Sequence, residues 1–352
     1  MVHLKDKPEY VDIDVDFKPL PKYGHLSEKT PEFLAMEPII DAAYTKFWSL
    51  PDFPAFRQAA GDADAVMPPG GPDRYRDVTT ELLQFPARDG HLIELKVYKS
   101  PNVRPNATLV YRMHGGGHVV GRHEVDGTEN VYAAVNPDIV VVSVDYRLAP
   151  EFPFPVPVED CYDGLLWCKK NSKTLGIDPE KIIVAGSSAG ANRAAVLAIM
   201  ARDDGITGII GQVLHFPAIC HPKFFPRDKY EFGSYIQNAD NCVLSVVRYE
   251  AFLDAYNPNP EPDHRHSPLL ATSLANLPPA LIQCAGVDIF RDEAFAYAEA
   301  LEVAGVDVEI YGYQGVPHCF PAIMNTHPST PTFYERFNSF LSKHATSSVQ
   351  QE

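Results

Sequence analysis

The stretch "KIIVAGSSAGANRAAVLAIMARDD", residues 181–204, runs from an apolar β-branched segment through small residues into an apolar-periodic segment. That order predicts a buried strand, a tight turn and a helix. Within the turn, Gly186-Ser187-Ser188-Ala189-Gly190 matches G-x-S-x-G, in which a central serine sits on a strained strand-to-helix elbow with its hydroxyl exposed at the sheet edge. The glycines two before and two after are required because strand and helix approach too closely for a Cβ. Ser188 alone is central; Ser187 stands one place early and points elsewhere. A Gly/Ser turn without chemistry uses the same letters, but the strand-turn-helix context favours a nucleophile.

Moving outward, "TTELLQFPA" and "HLIELKVYK" are separated by "RDG" and read as a β-hairpin. The apolar runs "ATLVYRM", "DIVVVSVDY", "KIIVAG", "GQVLHFP", "ALIQCAG" and "DVEIYGY" follow, with helical segments at 157–172, 189–203, 291–304 and 330–343 between or after them. Buried runs alternating with helices predict an α/β fold with a mostly parallel central sheet of about eight strands, flanked by helices, the hairpin lying at one edge. The alternation is interrupted between "GQVLHFP" and "ALIQCAG" by an insertion too long for an ordinary connection. Residues 1–75, with a helix through "PEFLAMEPIIDAAYTKFWSL", and this insertion, 219–265, are both aromatic-rich. They read as two halves of a helical cap over a catalytic domain of 76–218 and 266–352. The residues expected to line a substrate pocket are Ser187, His118, Phe47, Trp48, Phe224 and Phe225.

The chain has 352 residues, 45% of them hydrophobic, enough for a large core, and a net charge of -16. Such a surface repels phosphate backbones and anionic headgroups, so nucleic-acid and membrane-surface binding are disfavoured. No apolar run is long enough for a membrane span, the first twenty residues have no signal-peptide h-region, and "SSVQQE" at 347–352 carries no lipidation signal. Six scattered cysteines without metal-site spacing fit reduced thiols and a cytoplasmic setting. A homodimer is left open.

A serine hydroxyl needs a base to take its proton and donors to hold the developing oxyanion. Strand "ATLVYRM" runs into His114-Gly115-Gly116-Gly117, whose unobstructed amides suit a curl around an oxygen atom. The expected oxyanion hole is the N–H groups of Gly115, Gly116 and Ala189, with His114 bracing the loop.

"HGGGHVVG" (114–121), "YRLAPEFPFPVPVEDC" (146–161), "GSSAG" and "SPLL" (267–270) occur in this order. Together they resemble the hormone-sensitive-lipase-like branch of the α/β-hydrolases, over roughly residues 80 to 345. The resemblance implies a Ser-Asp-His triad under a cap, acting on carboxylic esters without a metal or an organic cofactor. Asp288 matches the first aspartate of the family's DPLRDE run, with Ile289 and Phe290 in place of Pro-Leu; Asp292 and Glu293 are nearby alternatives in a first helical turn. His318 matches the histidine of the family's HGF, with Cys319 in place of glycine. The family most often has an acidic residue where this chain has Ser187.

Other readings compete. "GGGHVVG" after a strand mimics a dinucleotide-binding turn, but its glycine pattern is off by one and it leaves the elbow unexplained. A non-catalytic ligand receptor on the same fold is disfavoured because the triad histidine is present. A deacetylase or lactonase of a natural product stays open beside neutral short- to medium-acyl or moderately bulky esters. The spacing of His114, His118 and His123 does not suggest a metal site, and His264 and His266 read as a solvated loop.

Overall fold

The computed structural model describes residues 2, 4–14, 16–18, 22–60 and 66–345, so the "SSVQQE" tail lies outside the described residues. Eight strands, β1 (Thr79–Pro86), β2 (Leu92–Lys99), β3 (Ala107–Met113), β4 (Ile139–Asp145), β5 (Ile177–Ser187), β6 (Ile209–His215), β7 (Ala280–Val287) and β8 (Val308–Pro317), form one sheet. Their order is β1-β2-β4-β3-β5-β6-β7-β8. β2 runs antiparallel to β1 and β4, and every other neighbouring pair is parallel. Each strand predicted from an apolar run is present. β3 and β7 are buried along their whole length, as expected of strands covered on both faces.

Helices Val156–Lys170, Ala189–Asp203 and Arg291–Val303 cover one face, burying Cys161, Leu165, Leu197, Tyr297 and Leu301 against the strands. Helices Gly127–Ala134 and Ser329–Ala345 cover the other with Val131, Ala134, Phe337 and Leu341. A further core lies beyond the carboxyl ends of the strands. There the helices Pro31–Trp48 and Phe53–Ala60 bring Phe33, Trp48 and Phe56 against Tyr235, Tyr249 and Phe252 of the insertion. Thr30 starts the first of these helices, its side chain accepting the Phe33 amide, with Pro31 in the first turn where its missing N–H costs nothing.

The elbow glycines are required by close approach. A Cβ on Gly190 would lie 2.0 Å from the Met113 carbonyl oxygen at the end of β3, and one on Gly186 2.3 Å from the Gly190 backbone. Both neighbours are main chain and cannot rotate away. Gly190→Ala is therefore expected to destabilise the protein by about 3 kcal/mol or more, through overpacking against rigid backbone. Urea unfolding checks this, and wild-type stability would mean that β3 and the helix are not in contact.

Candidate active site

At the elbow Ser188 adopts φ 55° and ψ -120°, the strained conformation the motif requires. Its amide donates to the His215 carbonyl at 2.8 Å, which fixes the turn to the end of β6. From the loop after β8, His318 places Nε2 3.0 Å from Ser188 Oγ. Its Nδ1 lies 2.6 Å from Asp288 Oδ2, in the loop after β7. The other Asp288 oxygen accepts the Phe290 amide at 3.1 Å. Three residues far apart in sequence are thus brought into one hydrogen-bonded line.

Phe216 and Phe290 meet the His318 ring edge-on, at 5.7 and 5.4 Å, and fix its plane. Burial alone would lower the His318 pKa, but the Asp288 charge opposes it, with Cys319 adding to the effect, and raises it well above 6.5. Cys319, where the family has glycine, holds a left-handed φ of 54°. The alternative acids face elsewhere. Asp292 accepts the Ser234 amide and pairs with Arg291. Glu293 accepts the amides of Ile219 and Cys220 and the Tyr235 hydroxyl.

Gly115, Gly116 and Ala189 line the same cavity as Ser188 and His318. Gly115 lies close against the elbow, where a Cβ would be 3.5 Å from that of Ser188. The Gly116 carbonyl accepts the amides of Val119 and Val120, curling the loop. His114 stacks on Tyr146 at 4.2 Å, and its Nδ1 lies 2.7 Å from the Gly115 carbonyl. It touches the loop rather than the serine.

Phe47 and Trp48 line the cavity from the amino-terminal segment, beside Tyr44, and Val243, Leu244, Tyr249 and Phe252 line it from the insertion. His118, Phe224 and Phe225, expected at the pocket, do not line it. His118 is buried against Tyr256 and accepts a bond from Arg193 Nη1 at 2.8 Å, so it serves packing. Phe224 packs toward His221 and His266, and Phe225 against Phe232. His266 is likewise not solvated: it is buried, with its ring nitrogens on Ser267 and the Glu261 carbonyl, while His264 is half-buried.

Ser187 touches the cavity wall, but its hydroxyl is turned away and donates to Glu129 at 3.1 Å. Glu129 also takes Arg112 Nη2 and His215 Nδ1, each at 2.7 Å. The helix Gly127–Ala134 thus sets a carboxylate, that of Glu129, beside Ser187. Burial opposes the charge of Glu129, yet Arg112 and His215 outweigh it and hold its carboxyl below the usual range. At neighbouring Asp126 burial prevails and raises the carboxyl. This group was missed from sequence; its one signal was the serine at 187, which leaves a position for an acid unfilled.

A family model described as the α/β-hydrolase fold matches residues 109–322. The chain belongs to that family, in its hormone-sensitive-lipase-like branch. It is 38% identical over 247 residues to esterase LipI of Mycobacterium tuberculosis, spanning 67% of this chain and 73% of that one. Among solved structures it is similar to vibralactone cyclase, with a TM-score of 0.79 and 28% identity over 97% of this chain and 100% of the other. An ester hydrolase from the metagenome of Lake Arreo, bound to a bipyridine phosphonate derivative, gives a TM-score of 0.78 at 29% identity, covering 90% and 99% of the two chains. Among the described residues no helix is long and apolar enough to cross a membrane.

Proposed function

We propose that this protein is a serine carboxylic-ester hydrolase in which Ser188 is the nucleophile, His318 the general base and acid, and Asp288 the residue that orients His318. One observation carries this reading: the continuous line from Ser188 Oγ through His318 to Asp288, at 3.0 and 2.6 Å, beside the glycine loop. His318 Nε2 takes the hydroxyl proton as Oγ attacks the ester carbonyl, while Asp288 holds the N–H on Nδ1 and stabilises the imidazolium. The oxyanion is held by the amides of Gly115, Gly116 and Ala189, each contributing roughly 3 kcal/mol in the transition state. His318 returns the proton to the departing alcohol, and water releases the acid by the same route. Apart from the ester and this water, the steps use groups of the chain itself.

The cavity wall of Tyr44, Phe47, Trp48, Val243, Leu244 and Phe252 supports neutral short- to medium-acyl or moderately bulky esters. We read 1–75 and 219–265 as the two parts of a cap over a hydrolase domain of 76–218 and 266–352, in a cytoplasmic protein that needs no macromolecular partner for turnover. Lactone chemistry is the second reading, favoured by the likeness to a vibralactone cyclase over 97% of the chain; the same serine attacks a lactone carbonyl.

The test is covalent labelling by a fluorophosphonate, with the adduct mapped by mass spectrometry as a function of pH. Ser188 is expected to carry the adduct. Because protonated His318 cannot accept the proton, the labelling rate should rise with pH through the His318 pKa, half-maximal above 6.5. The absence of any serine adduct at every pH would return the receptor reading; a labelled Ser187 would place the elbow one residue out; a half-point below 6.5 would mean that Asp288 does not support the base.

A further inference from the structure

On the far side of the glycine loop lies a group of side chains that the proposed reaction does not use. Glu94 and Asp145 are directly opposite one another in the antiparallel register of β2 and β4, so their carboxylates project from the same face. Like charges in that position destabilise a sheet. His123 reaches the pair from the loop that follows the glycines. One potential ligand atom from each of the three lies within 4.8 Å of the others.

The imidazoles supply the second observation. His123 is 1% exposed, and its Nδ1 is 2.9 Å from Ser143 Oγ. Its Nε2 is aimed at Glu94 Oε1, 3.6 Å away, and has no hydrogen-bond partner among the described residues. His114 repeats the pattern. With the Gly115 carbonyl as its only partner, Nδ1 must carry the proton, which leaves Nε2 as a bare acceptor 3.9 Å from Asp145 Oδ1. A buried acceptor therefore faces a half-buried carboxylate. The basic groups nearby are engaged: Lys96 pairs with Glu124 at 3.0 Å, and half-exposed Arg122 pairs with Asp145 Oδ2 at 3.8 Å.

We propose that Glu94, His123 and Asp145 bind a divalent transition-metal ion of the Zn²⁺ type, with His114 beside it. A mixed set of imidazole and carboxylate suits such an ion at bond lengths of about 2.0–2.2 Å, whereas Mg²⁺ and Ca²⁺ favour oxygen alone. Ser143 fits the partner that a ligating histidine needs, since Nδ1–H then donates to its hydroxyl and leaves Nε2 for the ion. The spacing His114, His118 and His123 suggested no site, and as a trio they form none. Strand pairing assembles this one by bringing Glu94 and Asp145 to His123.

The test is calorimetric titration of the chelator-stripped, full-length protein with ZnCl₂, alongside thermal unfolding. The wild type should bind one ion per chain and unfold at a higher temperature with Zn²⁺. Glu94→Gln and His123→Ala should each weaken binding at least about tenfold. Without metal, Glu94→Gln should unfold at or above the wild-type temperature, because it relieves the cross-strand repulsion; this separates loss of a ligand from loss of the fold. No saturable Zn²⁺ binding, unchanged affinity in Glu94→Gln, or binding of Mg²⁺ or Ca²⁺ in place of Zn²⁺ overturns the site.

Discussion

Replacing Ser188 by alanine is expected to lower kcat for a short-chain p-nitrophenyl ester roughly 10⁵-fold, with KM little changed. The substitution removes one oxygen atom and leaves the rest in place. The Ser188 amide still bonds to the His215 carbonyl, and His318 still bonds to Asp288. The cavity wall and the glycine loop are untouched, so substrate still binds and a residual rate from the loop amides remains. Ser187→Ala removes an oxygen one residue away with a different outcome. Its hydroxyl donates to Glu129, which keeps Arg112 and His215, so the variant should stay within about tenfold of wild-type turnover and lose about 1 kcal/mol of stability. Assaying the two proteins side by side decides the register of the motif. If Ser187→Ala were the inactive one, the elbow would have been placed one residue out.

The parts of this site that were legible in the sequence are those whose chemistry constrains the backbone locally. A strand, a serine bracketed by glycines and a helix must follow one another in the chain, and the space left at Gly186 and Gly190 shows the reason. His114-Gly115-Gly116-Gly117 is legible on the same ground, because a loop of amides needs contiguous residues without side chains. Asp288 and His318 were reached through strand ends and family resemblance, and the fold brings them together. What stayed hidden depends on direction rather than composition. Aromatic richness marked both Phe47 and Phe224, but only packing decides that Phe47 faces the cavity while Phe224 faces His221. Arg112, Glu129 and His215 are unremarkable letters in three separate elements until sheet order and helix packing set them together. The cluster of Glu94, His123 and Asp145 depends on β2–β4 register, which no local pattern encodes.

Asp288→Asn should lower kcat by roughly 10⁴-fold while leaving the fold and KM nearly unchanged. The size of the effect follows from which way the new amide must turn. One Asp288 oxygen accepts the buried Phe290 amide at 3.1 Å, and an unpaired backbone N–H there would cost about 1–3 kcal/mol. The asparagine carbonyl therefore stays on Phe290, and its NH₂ group faces His318 Nδ1. An NH₂ group donates, so Nδ1 must become the acceptor and the imidazole proton moves to Nε2. Nε2–H then points at Ser188 Oγ and cannot take its proton, although the distances of 3.0 and 2.6 Å barely alter. The charge that raises the His318 pKa is lost with the same substitution, so the imidazolium formed during attack loses its counter-ion as well. Fluorophosphonate labelling of Ser188 should slow in parallel with turnover, because both require the same proton transfer. Wild-type labelling in Asp288→Asn would mean that another group orients the base; Asp292 and Glu293 are already committed to Ser234 and to the amides of Ile219 and Cys220, and leave Asp288 as the residue that answers the test.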